Sequence, residues 1–198
     1  MTFPSYKNMP NLFNSNDFSF RKIITENQQI ITNKLENELL NKLLALYSDE
    51  WLAVYQYSIE SDFISNLNNK NKISTKVKNQ ITKELDIHTM EEFKHAKLLV
   101  PEILKLDGTI IDHIDKLSKN ANAKFLVPNK NETNILNQAI QSEEDAIKAY
   151  TETINFIKRF NDTKFKSLTE VLKKILDQEY EHKSDLEKII KDIKGIKG

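Results

Sequence analysis

The sequence predicts an all-α protein, a four-helix bundle made of two antiparallel helical hairpins joined by a long crossover. Three observations predict it. Glycine and proline are scarce, 3 and 4 in 198 residues, and the stretches between them are rich in Leu, Ile, Lys and Glu, which sit in helices at little cost. Apolar residues recur at spacings of three, four or seven, as one helix face requires, and strand-like alternation is hard to find. Two short motifs each occur twice in the same order, so the chain reads as a duplicated hairpin.

The elements follow from these patterns. Residues 1–20 carry two prolines, four Phe and several Asn and Ser, and read as an irregular arm whose aromatics dock on a surface. With the residues up to 34 they form an N-terminal extension to a bundle domain over 35–194. Leu35, Leu39, Leu43, Leu46, Ala53 and Tyr57 lie on one face of a first helix running from about Lys34 to Leu67. The Asn-rich run from Asn66 to Asn71 ends it, and Ser74 or Thr75 caps a second helix that reaches about Leu106 before Asp107 and Gly108 close it. Pro101 removes a backbone donor inside that helix and should kink it or weaken its last turns. Residues 108–131 form a connection too long for a simple turn. A third helix spans about Glu132 to Arg159, Asn161 and Asp162 make a turn, and a fourth helix spans about Lys164 to Lys191.

Composition excludes several kinds of chemistry. There is no cysteine, which removes disulfides, iron–sulfur centres and thiol nucleophiles, so any metal must bind to oxygen and nitrogen. The 29 basic and 29 acidic residues balance, which argues against a dedicated polyanion binder. No stretch has the length and apolarity of a membrane span and no secretory leader is evident, so a cytoplasmic protein without membrane contact is expected.

The chemistry lies in the repeats. Glu-x-x-Ala-x-x-x-Tyr occurs at Glu50 to Tyr57 and at Glu143 to Tyr150, and Glu-x-x-His occurs at Glu92 to His95 and at Glu179 to His182. In an antiparallel hairpin, residues equidistant from the turn lie level. The midpoint of Glu50 and Glu92 is residue 71, and that of Glu143 and Glu179 is residue 161, both in the expected turns. Each hairpin therefore presents its carboxylates at one height, about 30 Å from its turn at 1.5 Å per residue, and the crossover must traverse much of the bundle. Glu and His three apart share a helix face, so Glu92 with His95 and Glu179 with His182 can each grip an ion, with Glu50 and Glu143 completing the set. Four buried carboxylates are prohibitive alone, but two divalent cations balance their charge. Carboxylate and imidazole suit iron or manganese. Tyr57 and Tyr150 are either core aromatics or donors to a metal-bound carboxylate. His88, one turn before Glu92, could touch the site but reads rather as a structural polar contact or a surface residue, and His113 falls in the connection. Glu91 and Glu181 read as solvated groups or supports around the ligands. The C-terminal lysines, Lys183, Lys188, Lys191, Lys194 and Lys197, read as a solvated face.

Over residues 35–190 the chain resembles the ferritin-like superfamily, specifically bacterioferritin and the Dps-like mini-ferritins with a bacterioferritin-type di-iron site. The strings Asp49 to Tyr57, Glu91 to Leu99 and Gln178 to His182 carry the likeness, and a Glu from each of two helices with Glu-x-x-His from each of the others is the pattern of di-iron carboxylate bundles. The resemblance implies a ferroxidase with two iron ions per chain, manganese being possible. Glu50 and Glu143 would be terminal ligands, Glu92 and Glu179 bridges, and His95 and His182 the nitrogen ligands. These six are then the catalytic residues. Phe93 stands where bacterioferritin has its haem-ligating Met, so no haem is expected. The cysteine pair of the thioferritins is missing, which removes disulfide assistance. No short fifth helix is evident after Lys194, which favours a small shell, by resemblance a dodecameric homo-oligomer. Fe(II) and H2O2 or O2 are the implied reactants, with ferric iron stored in the cage and oxidative stress blunted. The rivals are a manganese catalase or rubrerythrin-like peroxidase, which use similar ligands, and a Dps-type structural protein that protects DNA through its Lys-rich tail.

Overall fold

The computed structural model describes residues 18–66, 74–128, 131–160 and 163–196. Its elements are α1 (Phe18–Asn66), α2 (Thr75–Lys105), α3 (Ile114–Asn120), α4 (Glu132–Ile157) and α5 (Lys166–Ile196), with two 3-10 turns, Lys158–Phe160 and Thr163–Phe165. Among the described residues there is no strand, and no helix is long and apolar enough to cross a membrane.

The helix ends follow local chemistry. Ser74 caps α2 by accepting from the Val77 amide, and Asn131 caps α4 by accepting from the amides of Thr133 and Asn134; each satisfies donors that the first turn leaves free. At the far end of α2 the Gly108 amide returns to the Ile103 carbonyl at 3.0 Å and the Asp107 amide to Leu104 at 3.1 Å, the paired closure of a Schellman motif. Asp107 takes its left-handed position, with φ 56°. Gly108 is required for space: a Cβ there would meet Leu40 and Ile103, the latter at 2.7 Å.

Several boundaries differ from expectation. The first helix starts at Phe18, not near Lys34, so the end of the expected irregular arm is helical. The stretch between holds Ile23, Ile24, Ile30 and Ile31 at a spacing of seven, a helical period the expected boundary overlooks, although Ile30 and Ile31 are exposed. Residues 1–17, and 67–73 and 161–162 where turns are expected, lie outside the described residues. The chain divides into two compact units, residues 1–36 and 37–198. The crossover contains a short helix, α3, whose side chains are not buried. Pro101 leaves α2 helical to Lys105, and the fourth long helix starts at Lys166 and continues to Ile196.

The core gives the topology. Tyr57 and Ile64 of α1, Val77, Ile81 and Leu85 of α2, Ile135, Leu136 and Ala139 of α4, and Leu186, Ile189, Ile190 and Ile193 of α5 form one buried cluster. The C-terminal ends of α1 and α5 thus meet the N-terminal ends of α2 and α4, which makes each hairpin antiparallel. Toward the opposite end, Leu39, Leu43, Leu99, Ile103, Ile154, Leu168 and Leu172 are also buried. Each such side chain contributes about 1.5–3 kcal/mol, and the two layers flank the middle of the bundle on either side. The crossover runs along α1 from Leu40 to Gln56: Gly108 lies against Leu40, Asp49 accepts from Asn122 and from the Ala123 amide, and Gln56 exchanges two hydrogen bonds with the Leu126 backbone.

Candidate metal centre

Between the two apolar layers the four long helices bring the expected acidic and imidazole side chains together. Glu50, Glu92, His95, Glu143, Glu179 and His182 are all buried, none more than 3% exposed. Helical spacing explains this: Glu92 with His95 and Glu179 with His182 stand one turn apart on the inward faces of α2 and α5.

Donor atoms of Glu50, Glu92, His95 and Glu179 lie within 4.8 Å of one another, and so do those of Glu92, Glu143, Glu179 and His182. The two groups share Glu92 and Glu179. Each histidine turns Nδ1 inward. His95 Nδ1 is 2.9 Å from Glu92, 3.0 Å from Glu179 and 3.4 Å from Glu50. His182 Nδ1 is 3.1 Å from Glu92, 3.6 Å from Glu179 and 3.7 Å from Glu143. The outer nitrogens are held as well: His182 Nε2 by Glu91 at 2.9 Å and His95 Nε2 by the Gln178 side-chain oxygen at 3.3 Å. Glu91 thus supports the cluster, whereas the Glu181 side chain is exposed.

The tyrosines cross between hairpins. The Tyr57 hydroxyl of α1 donates to Glu143 of α4, and the Tyr150 hydroxyl of α4 donates to Glu50 of α1. The two contacts are equivalent under the sequence repeat, so the duplication is expressed as approximate twofold symmetry in the hydrogen bonding. Burial, reinforced by the facing carboxylates, pushes both phenols well above their ordinary range, and they stay protonated donors.

Electrostatics describes a cluster short of cations. Burial, with repulsion from neighbouring carboxylates, raises Glu50 and Glu143 well above the usual range. Burial also works against an ionised Glu92, but His182 and His95 outweigh it and hold that acid far down. For His95 and His182 burial opposes the cation, and the surrounding carboxylates reverse the balance and hold both protons far above the imidazole range. Without metal, protons held on His95 and His182 offset part of the carboxylate charge. Glu179 Oε1 and His182 Nδ1 still have no hydrogen-bond partner. Unpaired inward donors, acidic oxygens and imidazole nitrogens together fit divalent cations, which displace the protons as they bind.

The cavity at the cluster has a volume of about 50 Å³ and is lined by Glu50, Tyr57, Glu92, Glu143 and Glu179, with Asp49, Asp145 and crossover residues 122–125 around it. That suits ions and small oxidants; organic ligands usually occupy pockets of about 300 Å³ or more.

Three residues around the cluster, His88, Asp49 and Gln56, carry more than their sequence positions suggest. His88 is not a surface group and does touch the cluster: it is 1% exposed, its ring stacks on His182 at 4.1 Å between centroids, and with Glu143 and His182 it forms a third group of donors within 4.8 Å. Burial, aided by the charge on His182, lowers its pKa to about 3, so the imidazole is neutral. The signal was its position four before Glu92, on the same face, but the second hairpin has no matching histidine. Asp49 and Gln56, which fasten the crossover over the site, were missed too, because their partners lie in a segment without periodicity. His113 is exposed beside Asp112. Lys183 pairs with Glu144 and Lys188 with Asp185; the side chains of Lys194 and Lys197 lie outside the described residues.

The family model described as a ferritin-like domain matches residues 37–196. Among solved structures, the chain is similar to a dodecameric thioferritin, the bacterioferritin-related protein from Bacteroides fragilis. The TM-score is 0.71 at 29% sequence identity, covering 82% of this chain and 89% of that one. No curated protein matches the chain.

Proposed function

Because this chain belongs to the ferritin-like family, we propose that its buried cluster is a ferroxidase centre that takes two Fe(II) ions per chain as substrate, oxidises them with H2O2 or O2 and passes Fe(III) to a homo-oligomeric cage. The observation that carries the proposal is the pair of four-residue donor groups sharing Glu92 and Glu179. Two groups with a shared edge are what two neighbouring ions require. Glu50 and His95 hold one ion, Glu143 and His182 the other, and Glu92 and Glu179 span both.

The division of labour follows from the geometry. Tyr57 and Tyr150 fix the terminal carboxylates, and Glu91 and Gln178 fix the histidine rings so that Nδ1 faces the ions, as supporting groups do at metal sites. The burial of the six side chains strengthens every charge interaction inside. Two adjacent Fe(II) ions each give one electron to the same peroxide, which takes up two protons and leaves as two waters; no one-electron step then releases hydroxyl radical. The similar thioferritin is a dodecamer, and a dodecameric cage is the assembly proposed here. Storage in it removes iron from peroxide chemistry and so lessens oxidative stress; a cytoplasmic location is part of the same reading.

Replacing Glu179 with Gln tests the proposal. It removes a shared charge while nearly preserving shape. The fast phase of ferric absorbance after mixing Fe(II) protein with peroxide should vanish while the helical circular dichroism persists. A variant that oxidises iron at the wild-type rate overturns the assignment.

A further inference from the structure

The two halves of the centre are not equivalent, and both departures from symmetry fall on the same half. The repeat that pairs Glu92 with Glu179 and His95 with His182 also pairs Glu91 with Gln178 and His88 with Ile175. His182 therefore has a carboxylate on its outer nitrogen, at 2.9 Å, where His95 has an amide oxygen at 3.3 Å. A carboxylate partner makes an imidazole the stronger donor. On the same side stands His88, where the repeat supplies a buried isoleucine.

His88 is placed as an unused ligand. Its Nδ1 lies 3.9 Å from Glu143 Oε1, and its Nε2 lies 3.4 Å from Glu84 without the geometry of a hydrogen bond, so neither ring nitrogen has a hydrogen-bond partner. An unpaired buried polar group costs about 1–3 kcal/mol, and a purely structural role would be filled better by an apolar ring. A cation held between His88, Glu143 and His182 removes that cost.

Building on the ferroxidase reading above, we propose that His88 is a seventh ligand, so that the half formed with Glu143 and His182 binds a borderline divalent cation more tightly than the half formed with Glu50 and His95, and fills first. A second imidazole favours ions such as Fe(II), Co(II) and Zn(II) over Mn(II) there, since nitrogen donors strengthen along that series. The sites would then load in sequence, and the Glu50 half, with fewer nitrogen donors, would be the one that exchanges iron with the cage.

Metal-free full-length protein titrated anaerobically with Co(II), followed by calorimetry and by the visible ligand-field bands, tests this without reference to turnover. The wild type should take up two ions per chain in two resolved steps, the first at least about tenfold tighter. His88→Phe, which keeps the stacked ring and removes both donors, should weaken the first step by about tenfold or more and shift its absorption band, leaving the second step in place. His88→Gln serves as a second variant if the larger ring disturbs folding. A wild-type chain that takes up no cobalt overturns both this inference and the ferroxidase reading. Two ions bound with the tight step and its spectrum unmoved in both variants overturns the seventh ligand alone.

Discussion

Glu60 offers a quantitative test of how the bundle handles a buried charge. Its side chain is fully buried, accepting from Gln56 through one oxygen, while its other oxygen has no hydrogen-bond partner. Burial raises its pKa from 4.5 to about 7, only partly offset by Gln56. Below pH 4.5 the carboxyl is protonated in both folded and unfolded chains and does not affect the balance. Between 4.5 and 7 the unfolded chain loses the proton while the folded chain keeps it, so stability falls as pH rises, by about 1.4 kcal/mol per pH unit. Above the folded pKa the loss is complete and amounts to on the order of 3 kcal/mol. Glu60→Gln keeps the shape and the acceptor for Gln56 but does not titrate. Urea denaturation of metal-free wild type and variant across pH 4.5 to 8 should therefore show the variant gaining on the wild type by on the order of 3 kcal/mol, with the change centred between pH 5 and 7. Other titrating groups are common to both proteins and cancel. A stability difference that stays constant over that range refutes the argument.

Two further outcomes follow from named contacts. Tyr57→Phe and Tyr150→Phe each leave a buried carboxylate oxygen without its donor, which should lower metal affinity by about tenfold to a hundredfold in a competition titration with Zn(II); unchanged affinity would show that the phenols only fill space. Gln56→Ala removes both bonds to Leu126, and amide exchange at Leu126 should quicken by roughly fivefold, from about 1 kcal/mol of lost protection; an unaltered rate would mean that other contacts hold the crossover.

How much of this was legible in the sequence depends on whether a residue belonged to a repeated or periodic pattern. The four long helices were, because scarce Gly and Pro and recurring Leu residues leave few other structures. The six ligand candidates were, because both hairpins carry them, and their level heights follow from counting residues to the turns. The crossing of Tyr57 to Glu143 and Tyr150 to Glu50 was not: each tyrosine lies seven residues from the Glu of its own helix, and only packing decides that it reaches across. His88 escaped because a lone histidine has no internal partner to mark it, and Ile175 at the matching place conceals the asymmetry. The N-terminal part of α1 escaped because the prolines and Asn residues before it drew the boundary past the spacing of Ile23, Ile24, Ile30 and Ile31, and α3 because a seven-residue helix without buried side chains leaves no periodic trace.

The central claim is that one chain by itself holds and oxidises a pair of iron ions. Metal-free protein titrated anaerobically with Fe(II), then mixed with stoichiometric peroxide or air while ferric absorbance is followed, tests it most directly. A fast phase that saturates near two irons per chain is expected. A trace that stays flat, or a fast phase that saturates near one, contradicts it.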